Sequence, residues 1–166
     1  MALRNPSPLE YAVAPARPGD LDEIARIERE SFLVPWKREF FATELEEPYR
    51  YARVLVGTRD SEPRVGGYLF AVSLYEEFHI NKIATDPRLR NRGYGRRLLE
   101  DALARAESIG ATAVTLEVRV SNLPAREFYR TYSFREAYRR KAYYQDGEDA
   151  FAMVLTLEET PSRGEG

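Results

Sequence analysis

The sequence predicts a mixed α/β fold: a mostly antiparallel sheet flanked by helices. Alternating apolar and polar residues mark a run of strands, then a strand–helix–strand–helix stretch, then a closing hairpin. One segment has a clear helical period, with Leu98, Leu99, Ala102, Leu103, Ala106 and Ile109 on one face and Arg97, Glu100, Asp101 and Arg105 on the other. At 166 residues the chain has the length of a single domain, which buries roughly 70% of the surface its unfolded chain exposes.

The ordered core is expected over residues 11–157, between polar tails at 1–9 and 158–166 that are rich in Pro, Ser, Gly and Glu. Tyr11 to Ala16 reads as a first strand. Pro18-Gly19-Asp20 starts a helix to about Phe32, with Leu21, Ile24, Ala25, Ile27 and Phe32 as its apolar face, and Pro35 breaks it. A second helix runs from about Arg38 to Leu45. Strands follow at Tyr51 to Thr58 and Val65 to Tyr75, joined by the turn Arg59 to Pro63, and then at Phe78 to Thr85, ending at Asp86-Pro87. The periodic helix stops at Gly110. In the strand Ala113 to Val120, Val114, Leu116, Val118 and Val120 point one way and Thr115, Glu117 and Arg119 the other. Ser121-Asn122 caps a helix through about Tyr132. A hairpin, Arg135 to Tyr144 and Ala150 to Leu157, turns at Asp146-Gly147.

Composition removes several function classes. The absence of cysteine excludes disulfides, thiolate metal sites and a covalent cysteine nucleophile, and the lone His79 argues against a histidine-rich zinc site, so no metal is expected. A formal net charge of -2 sets up no strong field toward nucleic acid or membrane. The N-terminus lacks the apolar core of a signal peptide, and the uncharged stretch Val65 to Tyr75 is too short to span a bilayer. A cytoplasmic protein without nucleic-acid or membrane partners is expected.

The most informative segment is Arg90-Asn91-Arg92-Gly93-Tyr94-Gly95-Arg96, which follows a strand and opens a helix. Gly93 and Gly95 let the backbone approach a ligand, and the free amides of a first helical turn form an anion site reinforced by the helix dipole. A pyrophosphate suits that chemistry, and the arginines can hold a further phosphate. A dinucleotide fingerprint would need a third glycine where Leu98 stands, and the Gly-Lys-Ser/Thr of a Walker loop is absent. On these residues alone, a tight glycine turn with a solvated arginine face is as good a reading.

The flanks decide between the two. Ile83-Ala84-Thr85-Asp86-Pro87, then Arg90-x-x-Gly93-x-Gly95, then Leu98-Leu99, resembles the Gcn5-related N-acetyltransferase (GNAT) superfamily. A second block, Leu116 to Asn122 with Ala125, Phe128-Tyr129 and Phe134, resembles its RimI branch, bacterial enzymes that acetylate the N-terminal alanine of ribosomal protein S18. Pro35-Trp36 and Arg140-x-x-Tyr143-Tyr144-x-Asp146-Gly147-Glu148-Asp149-Ala150 agree with that branch. Ser133 stands where the family usually has Gly, Asn81-Lys82 and Thr85 where apolar residues are usual, and Leu33-Val34 separate Phe32 from Pro35.

The resemblance implies acetyl-CoA as donor, its pyrophosphate held by Arg90, Asn91, Arg92, Gly93, Tyr94, Gly95 and Arg96. It implies backbone groups of Ile83, Ala84 and Thr85 at the thioester end and a cofactor contact from Asn122. It casts Glu117 as general base and Tyr129 as the acid that protonates the leaving sulfur; partial burial is expected to raise the Glu117 pKa toward neutrality. Trp36, Tyr143 and Tyr144 are expected to line the acceptor cleft, and His79, between Phe78 and Ile80, is expected to be structural. Taken singly these residues have plainer readings: a solvated strand glutamate, a packing tyrosine, a helix cap, hairpin and loop aromatics. An α-amine is the expected acceptor, since deprotonating it at pH 7.4 costs roughly 1 kcal/mol against about 4 for a lysine. A lysine side chain, a small-molecule amine and a non-catalytic acetyl-CoA-binding module remain open at this point.

Overall fold

The computed structural model describes residues 10–58 and 60–157. The expected tails, and Arg59 of the turn before Pro63, lie outside the described residues. The strands are β1 (Tyr11–Pro15), β2 (Arg50–Gly57), β3 (Val65–Leu74), β4 (Glu77–Thr85), β5 (Ala113–Arg119), β6 (Arg135–Arg140) and β7 (Ala150–Thr156). The helices are α1 (Leu21–Ser31), α2 (Arg38–Glu46), α3 (Tyr94–Ser108) and α4 (Leu123–Thr131). The strands form a 7-stranded sheet in the order β1-β2-β3-β4-β5-β7-β6. The registers β1 with β2, β2 with β3, β5 with β7 and β6 with β7 are antiparallel, as the sequence predicts. Among the described residues no helix is long and apolar enough to cross a membrane.

The fold divides into two compact units, one holding residues 10–72 and 80–102 and the other 73–79 and 103–157. In the first, α1 buries Leu21, Ile24 and Ile27, α2 buries Phe41, and β2 and β3 supply Val54, Val65, Tyr68 and Phe70 to the same core. The Phe41 ring meets Tyr68 at 5.5 Å and Phe70 at 5.1 Å. Each fully buried side chain of this size contributes about 1.5–3 kcal/mol. β3 is buried from Val65 through Val72, so it carries a continuous apolar run rather than an alternating one. Gly67 lets β3 lie close to the end of β4: a Cβ there would stand 2.7 Å from the Ala84 carbonyl.

In the second unit, β5 alternates as expected, with Val114, Leu116 and Val118 buried and Thr115, Glu117 and Arg119 on the opposite face. β7 lies between β5 and the edge strand β6, and its register sets Glu117 beside Ala152 and Arg119 beside Ala150. The closing hairpin departs from expectation. β6 ends at Arg140, not Tyr144, and residues 141–149 form a loop. Ala142 takes a left-handed φ of 49°, and its N–H donates to the Asp149 carboxylate at 2.8 Å instead of to a strand partner. The turn does fall at Asp146-Gly147, where Gly147 has φ 89° and its N–H donates to the Tyr144 carbonyl at 2.9 Å.

Candidate active site

In the first unit, β4 runs through Ile83, Ala84 and Thr85 into a loop that starts α3 at Tyr94. Asp86 fixes the loop's first turn. Its carboxylate is fully buried, accepts the Arg88 N–H at 2.9 Å and pairs with the Arg88 and Arg26 guanidinium groups at 3.1 and 2.9 Å. Burial alone would raise its pKa; the bonds from Arg88 and Arg26 outweigh that and hold it at about 2. Asn91 and Gly93 both take left-handed backbone, φ 62° and 82°. Arg97 N–H donates to the Gly93 carbonyl at 3.3 Å, so the preceding amides, of Tyr94, Gly95 and Arg96, point beyond the helix end.

Tyr94 is buried edge-on against Tyr11, with ring centroids 5.1 Å apart, which roots the helix start in the core. A methyl at Gly95 would touch only the Thr85 hydroxyl at 3.5 Å. Packing therefore does not demand glycine there. Arg90, Arg92 and Arg96 are exposed around it. Arg88 and Arg97 are engaged elsewhere, with Asp86 and with the Tyr11 carbonyl at 2.7 Å. Open amides, left-handed glycine and free guanidinium groups fit a diphosphate.

Trp36 lies in the α1–α2 connection, tilted against Phe41 at 5.4 Å. A buried carboxylate anchors this connection. Glu28 of α1 is fully buried, accepts the Trp36 N–H at 3.1 Å, pairs with Lys82 at 2.7 Å and accepts the Tyr68 hydroxyl. The Lys82 ammonium also stands over the rings of Phe32 at 3.9 Å and Trp36 at 5.0 Å. Lys82, itself half-buried, is thus the ion-pair partner of a buried carboxylate, which explains why it occupies a strand position where an apolar residue is usual.

In the second unit, Glu117 does not stand alone. Its Oε2 lies 3.0 Å from His79 Nε2, and Arg140 Nε is 3.5 Å from its Oε1. His79 Nδ1 is 2.6 Å from the Thr115 hydroxyl. An ionised carboxylate can only accept, so the imidazole donates from Nε2 to Glu117. The small side chains of Ala150 and Ala152 on β7 leave room for Arg140 to reach across to β5. This arrangement corrects the expected pKa. Burial does push Glu117 upward, but the His79 bond and the charges of His79 and Arg140 outweigh it, and the net shift is downward.

Tyr129 of α4 is buried against Phe128 at 5.4 Å and Phe134 at 5.7 Å. Burial, with a smaller effect from Tyr144, pushes its hydroxyl well above the ordinary tyrosine value, so it stays protonated. Asn122 caps α4 by accepting the Ala125 N–H at 3.2 Å. The rings of Tyr143 and Tyr144 meet edge-on at 5.0 Å. Arg140 stands 5.5 Å from the Tyr143 ring and Arg119 4.1 Å from the Tyr144 ring. Burial raises both tyrosines, Tyr144 to about 12.

The expected residues thus gather as two groups, each within its own unit: Thr85 with the Gly93–Gly95 loop, and Glu117 with Tyr143 through Arg140. The Asn122 side chain caps its own helix, while its N–H donates to the Arg119 carbonyl at 3.0 Å. Sequence reasoning missed His79 and Arg140 as partners of Glu117, and Glu28 with Lys82 beneath Trp36. The alternation Phe78-His79-Ile80 signals that His79 leaves the apolar face, but nothing local says which strand it meets.

The chain is similar to known acetyltransferases along most of its length. The chain is 33% identical over 142 residues to the [ribosomal protein bS18]-alanine N-acetyltransferase of Salmonella typhimurium, covering 83% of this chain and 92% of that protein. It is 34% identical over 162 residues to an N-alpha-acetyltransferase of Sulfolobus acidocaldarius, covering 90% and 94%. The crystal structure of the ribosomal-protein-S18-alanine N-acetyltransferase from Escherichia coli superposes with a TM-score of 0.81 at 28% identity, over 92% of this chain and 97% of that one. The acetyltransferase (GNAT) family model matches residues 21–134, and the chain belongs to that family.

Proposed function

We propose that this protein transfers an acetyl group from acetyl-CoA to the N-terminal α-amine of a protein, with the alanine of ribosomal protein S18 as its acceptor. The S18-alanine acetyltransferases of Salmonella and Escherichia support this acceptor, and the Sulfolobus relative supports the wider class. A ribosomal acceptor accords with a cytoplasmic enzyme. The observation that carries the reading is the pairing of Glu117 with His79 and Arg140. A carboxylate held ionised, with its pKa lowered, is a weak base. It suits an α-amine, already partly neutral near pH 8, far better than a lysine near 10.4.

In this reading the loop from Arg90 to Arg96 holds the pyrophosphate, and backbone groups of Ile83, Ala84 and Thr85 hold the thioester end. Asn122 adds a cofactor contact, and Trp36, Tyr143 and Tyr144 line the path of the acceptor. The amine nitrogen attacks the thioester carbonyl carbon; a C–N bond forms and the C–S bond breaks. The amine's surplus proton passes to Glu117, directly or through water, while His79 and Arg140 keep that carboxylate aimed. Tyr129 gives its proton to the departing sulfur and regains one from solvent. The absence of cysteine excludes a thioester acyl-enzyme and favours direct transfer. Mass spectrometry after incubation with acetyl-CoA tests the reading: a peptide beginning Ala-Arg gains an acetyl group at its first residue. Acetylation confined to an internal-lysine control would refute it.

A further inference from the structure

The loop 141–149 carries Tyr143 and Tyr144, yet it contributes no strand pairing of its own. Its geometry is held by side chains. Arg119, the last residue of β5, directs one guanidinium nitrogen between Asp146 at 2.8 Å and Glu148 at 2.9 Å. The same guanidinium stands over the Tyr144 ring at 4.1 Å. The second oxygen of Glu148 accepts the Ser121 N–H at 3.0 Å, at the turn between β5 and α4. Main-chain bonds complete the seat: Val120 N–H donates to the Asp149 carbonyl at 3.1 Å and Tyr144 N–H to the Glu148 carbonyl at 3.2 Å. Arg119 is only 16% exposed on its side chain, so these bonds are partly shielded from water.

We infer that Arg119 and Glu148 are positioning residues for the acceptor: they lock the Tyr143–Tyr144 segment to the β5–α4 junction. The inference rests on the acetyltransferase reading and deepens it. Arg119 lies two positions from Glu117 on the same face of β5, so the clamp ties the tyrosine pair to the strand that carries the base. Neither residue touches a reacting atom; each acts through the tyrosines it holds. A planar guanidinium meets two carboxylates and a ring at once, which an ammonium cannot do as well. Glu148 in turn shares its carboxylate between Arg119 and the Ser121 N–H of the turn that leads to Asn122. Loss of either partner frees the loop while leaving the Arg90–Arg96 segment untouched.

The test compares Arg119→Gln, Arg119→Lys, Glu148→Ala and the Arg119→Gln/Glu148→Ala double variant with wild type. Steady-state kinetics with the Ala-Arg peptide should show KM raised about tenfold in Arg119→Gln and Glu148→Ala, with kcat less affected. Acetyl-CoA affinity by calorimetry should stay unchanged, and Arg119→Lys should recover part of the loss. The double variant should be little worse than either single one, since both break one clamp. Amide hydrogen exchange over residues 142–149 should quicken in each variant. Unchanged KM together with unchanged exchange would overturn the inference, as would an acetyl-CoA affinity that falls as much as peptide affinity. If Arg119→Gln does not fold, Glu148→Ala decides. If wild type acetylates no α-amine, the acetylation reading fails on its own, and the exchange measurement still judges the clamp.

Discussion

At the scale of single residues, chemistry is set by partners distant in the chain. Glu117 has no sequence neighbour that would lower its pKa; His79, reached through the sheet, and Arg140, across β7, do so. Because the folded pKa lies below the ordinary value, Glu117 stays ionised above that value and loses its charge, with the stability the pairing adds, only as pH falls into the acid range. Between pH 6 and 9, therefore, kcat/KM should rise with deprotonation of the acceptor α-amine, near pH 8, and not with any titration of Glu117. Glu117→Gln should lower the whole profile by about a hundredfold or more without moving its midpoint. A profile whose acid limb disappears in that variant would assign the limb to Glu117 and contradict the pairing. Asp86 shows the same logic in a structural role: folded at about 2, it stabilises above its ordinary value of 3.8 and loses that contribution as pH drops from about 4 to 2. Asp86→Asn should cost about 2 kcal/mol at neutral pH by removing the buried carboxylate that Arg26 and Arg88 share, and should flatten the acid limb of stability in urea melts.

At the scale of elements, the turn that leads from β4 into α3 depends on one glycine more than the other. Gly93 has a φ of 82°, which costs a side chain about 1–2 kcal/mol, whereas Gly95 has ordinary backbone and a methyl there meets only Thr85 at 3.5 Å. Gly93→Ala should thus lower thermal stability and weaken acetyl-CoA binding together. Gly95→Ala should fold as well as wild type, so any loss of acetyl-CoA affinity it shows, read by calorimetry, comes from the ligand side alone. Equal destabilisation by both would mean that the loop is shaped by something other than the Gly93 backbone. The α3 helix itself was readable from local period: Leu98, Leu99, Ala102 and Ala106 are buried as the spacing predicts, while Ile109, one residue past its end, is 41% exposed in the turn before Gly110. The end of β6 was not readable, because Arg139 to Tyr144 looks like strand in composition. What ends it is a side-chain contact from Asp149 to the Ala142 amide.

At the scale of the whole molecule, acetyl-CoA should behave as a ligand of the folded state. At about a hundred times its dissociation constant it should add about 2.7 kcal/mol to stability, seen as a higher melting temperature, while ATP and NAD at equal concentration should raise it less. A larger shift with either nucleotide would assign the glycine loop to a different ligand. The sequence by itself determined the order of strands and helices, the glycine loop between β4 and α3 and the family, because each is written in local period, turn chemistry and spacing. Only the tertiary structure decided that His79 and Arg140 bracket Glu117, that Lys82 is the partner of the buried Glu28, and that the Tyr143–Tyr144 loop hangs on Arg119. Those contacts join residues far apart in the chain. An ionisable group's proton affinity follows the field of its neighbours in space, which no linear window contains.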